Sequence, residues 1–108
     1  MIAKAQTGTG KTLAFGAPMM AKIDAARATV LGLVMCPTRE LAQQVHGVLA
    51  TLGFPRGVRV AMCVGGDPLH PQIAELQAGA QVVVGTPGRI LDLYQQPPER
   101  HRGALHRL

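Results

Sequence analysis

The sequence predicts an α/β domain with a mostly parallel sheet flanked by helices. Three observations carry this. Short β-rich runs alternate with helical stretches along the chain. Residues 29–36 and 80–84 are continuous β-rich runs, as expected of strands covered on both faces. The chain has 108 residues, which suits one small domain with a single core and a thin stability margin.

Taken in order, residues 1–5 form a short apolar strand, interrupted by Lys4, that leads into a glycine-rich turn. Residues 11–27 read as a helix with Leu13, Met20 and Ile23 among its apolar positions. Pro18 lies inside that pattern, and an interior proline costs about 3 kcal/mol, so a kink or break near Ala17 is expected. The strand at 29–36 follows. Residues 39–52 form a helix whose Leu41, Val45, Val48, Leu49 and Leu52 make one apolar stripe. Gly53 is expected to stop it. Residues 57–64 form the next strand. Asp67 is positioned to cap a helix opening at Pro68, although His70-Pro71 could delay its start. Ile73 and Leu76 face inward from that helix, and Gly79 ends it. Residues 80–84 are a strand, and Thr86-Pro87 opens a last helix through Gln95. Residues 1–96 thus read as the domain. Residues 97–108 read as a basic linker.

Composition narrows the function. Hydrophobic residues at 47% against 16% charged exclude a disordered polar chain. No apolar stretch approaches the roughly 20 residues of a spanning helix. No signal-peptide pattern opens the chain. Cys36 and Cys63 lack metal-ligand spacing and read as reduced thiols of an intracellular protein. The formal charge of +5 favours an anionic partner. With aromatics at only 3%, a nucleic-acid partner would be held by its backbone rather than by stacked bases.

The first strand ends in AQTGTGKT: Ala5, Gln6, Thr7, Gly8, Thr9, Gly10, Lys11 and Thr12. This nearly matches the phosphate-binding pattern G-x-x-x-x-G-K-[ST], with Ala5 in place of the first glycine. Gly8 and Gly10 let backbone N–H groups converge on phosphate oxygens, and the following helix adds its positive end. Lys11 suits the β and γ phosphates, and the Thr12 hydroxyl suits Mg²⁺.

Two later loops share an arrangement. Pro37-Thr38-Arg39-Glu40 follows the second strand and Thr86-Pro87-Gly88-Arg89 the fourth. In each, a threonine can cap a helix and an arginine sits in its first turn, where it opposes the helix dipole. Either a phosphate is shared between arginine and helix end, or Arg39 and Arg89 point to solvent or pair with acids such as Glu40 and Asp92. Gly65-Gly66 ends the third strand, as an ordinary turn or as a place where a ligand backbone comes close. The histidines have no metal spacing. In the tail, Arg100, Arg102 and Arg107 read as a solvated segment or as added attraction for nucleic acid.

AQTGTGKT, PTRELA (37–42), Gly65-Gly66 and TPGR (86–89), in that order, resemble motif I, motif Ia, the GG motif and motif Ib of DEAD-box ATP-dependent RNA helicases. The resemblance covers nearly the whole chain and weakens after Gln96. It implies a P-loop NTPase domain of RecA-like fold, incomplete. Ala5 to Thr12 would bind ATP, with Lys11 and Thr12 catalytic and Thr12 on Mg²⁺. Pro37, Thr38, Arg39, Gly65, Gly66, Thr86, Gly88 and Arg89 would hold the sugar-phosphate backbone of single-stranded or duplex RNA without regard to sequence. No membrane partner is implied. The family's Q motif, D-E-A-D and S-A-T segments and second domain do not occur in these residues, so a fragment that binds without turning over is expected. A non-catalytic nucleotide- and RNA-binding module is the alternative. A small P-loop kinase fits PTRELA and TPGR poorly. Asp67 is the one acid placed to stand in for a missing carboxylate, and capping suits it better.

Overall fold

The computed structural model describes residues 2–4, 9–24, 26–27 and 29–95, with 9–15 described by their backbone. The loop residues Ala5, Gln6, Thr7 and Gly8 and the basic segment 97–108 lie outside the described residues.

Four strands and four helices alternate among the described residues: β1 (Ile2–Lys4), α1 (Thr9–Lys22), β2 (Gly32–Met35), α2 (Arg39–Gly53), β3 (Val60–Cys63), α3 (Leu69–Gln77), β4 (Val82–Gly85) and α4 (Pro87–Gln95). All pairings are parallel, in the order β1-β2-β4-β3. Val84 of β4 stands between Val34 of β2 and Met62 of β3. Side chains alternate across the sheet, so successive residues feed two cores. Val34, Val82 and Val84 join Met19, Met20, Val45 and Leu49 beneath α1 and α2. Leu33, Val83 and Cys63 join Ile73, Leu76, Ile90 and Leu93 beneath α3 and α4. The all-valine run of β4 is buried at every position, and this suits a central strand.

Several boundaries differ from expectation. Helix α1 begins at Thr9, ends at Lys22 and runs unbroken through Pro18. Met19 and Met20, each 1% exposed, follow that proline directly. Burying two such side chains contributes about 3–6 kcal/mol, enough to offset the proline. The helix stops short of Arg27 because Asp24 builds its own turn. Its carboxylate accepts the Ala26 N–H at 3.0 Å, and its carbonyl accepts the Arg27 N–H at 3.1 Å. Gly53 does not stop α2. It keeps right-handed geometry and passes the chain into a 3-10 turn, Phe54–Arg56, after which Gly57 at φ 72° makes the reversal. Gly53 is small for another reason: a Cβ there would lie 2.9 Å from the Val58 carbonyl oxygen. Asp67 does not cap α3, which opens at Leu69 behind Pro68 with no side-chain cap.

Candidate functional site

In a parallel sheet every strand delivers its following loop to the carboxyl edge, and every helix starts there. β1 ends at Lys4 and α1 starts at Thr9. Thr9 and Gly10 belong to the first turn of α1, together with Lys11 and Thr12. That turn carries no acid, and its leading backbone N–H groups lack partners within the helix.

The loops after β2, β4 and β3 are neighbours in the sheet, and they form one bonded cluster. Thr38 has extended geometry (φ −130°, ψ 157°), and its hydroxyl accepts the Leu41 N–H at 3.2 Å, capping α2 as expected. Arg39 is the first helical residue. Its Nη2 lies 2.8 Å from Asp67 Oδ1, so its partner is Asp67 and not Glu40. Gly66 adopts φ +90°, and a Cβ on it would come within 3.4 Å of Arg39 Nη1.

Arg89 is held from the other side. Its Nη1 donates to the Asp67 carbonyl at 3.2 Å and to Gln72 Oε1 at 2.9 Å. Its Nε lies 3.9 Å from Asp92 Oδ2, the pairing that the sequence left open. Gln72 in turn donates from Nε2 to the Val64 carbonyl at 3.0 Å. The Thr86 hydroxyl accepts the Gly65 N–H at 3.4 Å, which ties the loop after β4 to the one after β3. The two arginines differ in exposure: the Arg89 side chain is 13% exposed and that of Arg39 is 44%.

Of the expected RNA-facing residues, Thr38, Arg39, Gly65, Gly66, Thr86 and Arg89 therefore meet in one cluster, with Pro37 and Gly88 exposed at the same edge. A Cβ on Gly65 or Gly88 would touch nothing within 4 Å, so both backbones are open to a ligand. Asp67 and Gln72 were missed as site residues. Gln72 carried a signal: it lies four residues before Leu76, on the inward stripe of α3, yet is polar.

Other polar groups serve the scaffold. The His46 ring donates from Nε2 to the Val60 carbonyl at 2.9 Å, pinning α2 to β3. Both cysteines are free and buried. Burial raises the Cys36 thiol. It pushes Cys63 up to about 12, with the Glu75 charge adding to the rise and Arg89 opposing it. Neither thiol is activated as a nucleophile. Among the described residues no cluster of His, Cys, Asp and Glu could hold a metal, and no helix is long and apolar enough to cross a membrane.

The family model of the DEAD/DEAH box helicase matches residues 1–108 of this chain. The chain belongs to the DEAD/DEAH box helicase family. It is 50% identical over 96 residues to the DEAD-box ATP-dependent RNA helicase CshA of Streptococcus pneumoniae, covering 89% of this chain and 18% of that protein. It is 45% identical over 96 residues to the ATP-dependent RNA helicase eIF4A of Schizosaccharomyces pombe, covering 89% of this chain and 24% of that one. Among solved structures, a DEAD box protein from the hyperthermophile Methanococcus jannaschii superposes with a TM-score of 0.73 at 40% identity, over 84% of this chain and 24% of the other. Saccharomyces cerevisiae Dbp5 bound to RNA and ADP BeF3 gives 0.70 at 36% identity, over 88% and 23%. The parallel sheet with its flanking helices is thus part of a DEAD-box RecA-like domain, and the chain spans about a fifth to a quarter of these helicases.

Proposed function

We propose that these residues are the part of an ATP-dependent RNA helicase that cradles the nucleotide phosphates and grips the RNA backbone. The observation that carries the RNA reading is the welded carboxyl-edge cluster. It presents an exposed Arg39, two open glycine backbones and the N-termini of α2 and α4 on one side of the sheet. Such a surface offers cations and N–H donors to phosphate, contacts that position a strand without carrying sequence information. Pro37, Thr38, Gly65, Gly66, Thr86, Gly88 and Arg89 shape that surface around Arg39.

The nucleotide side fits by position and donor chemistry. The first turn of α1 at the sheet's carboxyl edge has no acid to repel phosphate, and Lys11 and Thr12 fall within it. With the preceding Ala5, Gln6, Thr7, Gly8, Thr9 and Gly10 they would hold ATP, and Thr12 would contribute its hydroxyl to Mg²⁺. The cation would offset phosphate charge. The residues' own contribution is to bind and orient.

Equilibrium binding of a labelled single-stranded RNA across a salt series tests the RNA reading. Affinity should fall with salt, and Arg39→Ala should flatten the slope by about 0.7, the share of one phosphate contact on a single strand. An unchanged slope would remove Arg39 from the RNA face.

A further inference from the structure

We infer that Asp67 is a built-in counter-ion that occupies the phosphate site of Arg39 and sets how tightly RNA is held. The inference rests on the RNA-facing reading above and goes beyond it, since nothing there assigns a role to an acid. An arginine at the first position of a helix opposes the helix dipole and calls for an anion shared between its guanidinium and the helix end. In the structure the guanidinium already holds an anion of the chain itself: Asp67 Oδ1 lies 2.8 Å from Arg39 Nη2. Gly66 at φ +90°, a conformation that side-chain-bearing residues rarely adopt, bends the chain beside Arg39. Arg89 then holds the backbone of that turn in place by donating to the Asp67 carbonyl at 3.2 Å, which keeps the carboxylate within reach of Arg39.

The pair is half exposed, at 44% and 32% of the two side chains. Exposed ion pairs are weak enough for a phosphate to displace. Displacement swaps one anion for another and leaves the freed carboxylate close to the incoming phosphate, with which it repels. Asp67 therefore orients Arg39 in the absence of RNA and lowers affinity in its presence. On a chain with a formal charge of +5 this restrains capture of polyanions in general.

The test is equilibrium binding of a labelled oligouridylate to the 108-residue chain and to Asp67→Asn, Arg39→Ala and the double variant, with thermal melts to confirm folding. Asp67→Asn should bind about two- to five-fold tighter at low salt, the range expected for losing one exposed pair. The double variant should show no such gain over Arg39→Ala, because without the guanidinium there is nothing to unmask. Asp67→Ser repeats the measurement should the asparagine variant melt early. Equal or weaker binding by Asp67→Asn, while Arg39→Ala still loses affinity, overturns the inference and leaves the RNA-facing reading standing. A gain of the same size in both backgrounds overturns it as well, since it would be a general charge effect. If Arg39→Ala has no effect on binding, the RNA-facing reading fails and the inference with it.

Discussion

The amide of Gln72 is a buried brace for Arg89: it accepts from the guanidinium at 2.9 Å and, through its other end, donates to the carbonyl of Val64 at 3.0 Å. Arg39 and Arg89 occupy matching places in the sequence, each early in a helix after a threonine, yet their surroundings differ. One is 44% exposed on a displaceable acid, the other 13% exposed on carbonyl and amide acceptors. Their removal should therefore be felt differently. Arg89→Ala strands the buried Gln72 oxygen and should cost about 1–3 kcal/mol of stability. Arg39→Ala should cost no more than about 1 kcal/mol. Urea denaturation of the two variants checks this, and a larger loss for Arg39→Ala would contradict the assignment of Arg89 as a brace.

A second expectation concerns the cap of α2. The Thr38 hydroxyl accepts the Leu41 N–H, and Arg39, placed next to it, adds no dipole support at that end. Thr38→Ala should lower stability by about 0.5–2 kcal/mol. Thr38→Asp should recover it, because aspartate caps equally well and favours the helix dipole. Failure of the aspartate to recover stability would show that the threonine methyl group, and not the cap, matters.

How much of this was legible in the sequence follows from the range of the interactions. Element type and order came from local patterns: the all-apolar valines of β4, the stripe on α2 from Leu41 to Leu52, and the Thr38 cap. Sheet order did not. That β4 lies inside β3 depends on which strand buries both faces, and the clue is slight: β4 is buried throughout, whereas β3 alternates buried Ala61 and Cys63 with half-buried Val60 and Met62. The backbone penalty of Pro18 is visible in the sequence, but the burial of Met19 and Met20 that offsets it is set by tertiary packing. Capping is a local habit of aspartate, so the sequence suggests that role for Asp67. Its partner Arg39 stands far away in sequence and is brought near by the parallel sheet. The phosphate-loop residues Ala5 to Gly8 rest on the sequence alone, lying outside the described residues.

The cysteines provide a pH test. Cys63 is held up to about 12, from an ordinary 9.0, mainly by burial, then by Glu75 and against Arg89. The unfolded chain ionises its thiol at the lower value while the folded chain keeps its proton. Stability from this group is therefore whole below about pH 9 and declines as pH rises toward 12, by up to about 1.4 kcal/mol per unit. Alkylation by iodoacetamide at pH 8 should be slow in the native chain and fast in urea. Rapid labelling of Cys63 in the native state would show that the site opens locally.

The apolar hollow beside β1 predicts self-association. Ile2, Leu33, Met35, Pro87, Ile90, Leu91 and Tyr94 line a space of about 290 Å³. Ile2 and Leu91 are 61% and 56% exposed there. Among the described residues β1 is the outer strand of the sheet, and a parallel edge next to apolar surface invites pairing with another chain. Leu91→Glu should raise the monomer fraction in sedimentation at high concentration with little loss in melting temperature, since the side chain is half out of the core. A wild-type chain that stays monomeric under those conditions would contradict it.

The last expectation is that a polypeptide of these 108 residues binds ATP without turning it over. In the proposed reading, Lys11 and Thr12 would supply a cation for the phosphates and one hydroxyl for a metal. Turnover also requires carboxylates near the metal and the attacking water. The resemblance assigns those to a D-E-A-D segment that these residues do not contain. At the carboxyl edge the described acids are otherwise engaged. Asp67 is paired with Arg39, and Glu40 lies in the first turn of α2, where it favours the helix dipole. A positioned general base contributes roughly 10²–10⁴ in rate. An arginine finger, which the family takes from its second domain, contributes roughly 10³–10⁵. Without either, phosphate release should stay at background with or without RNA. A fluorescent ATP analogue should bind weakly through its phosphates, GTP should compete about as well as ATP, and Lys11→Ala should abolish most of the signal. RNA-stimulated phosphate release that disappears in Lys11→Ala would mean that Asp67 or Glu40 has taken the role of the absent acid.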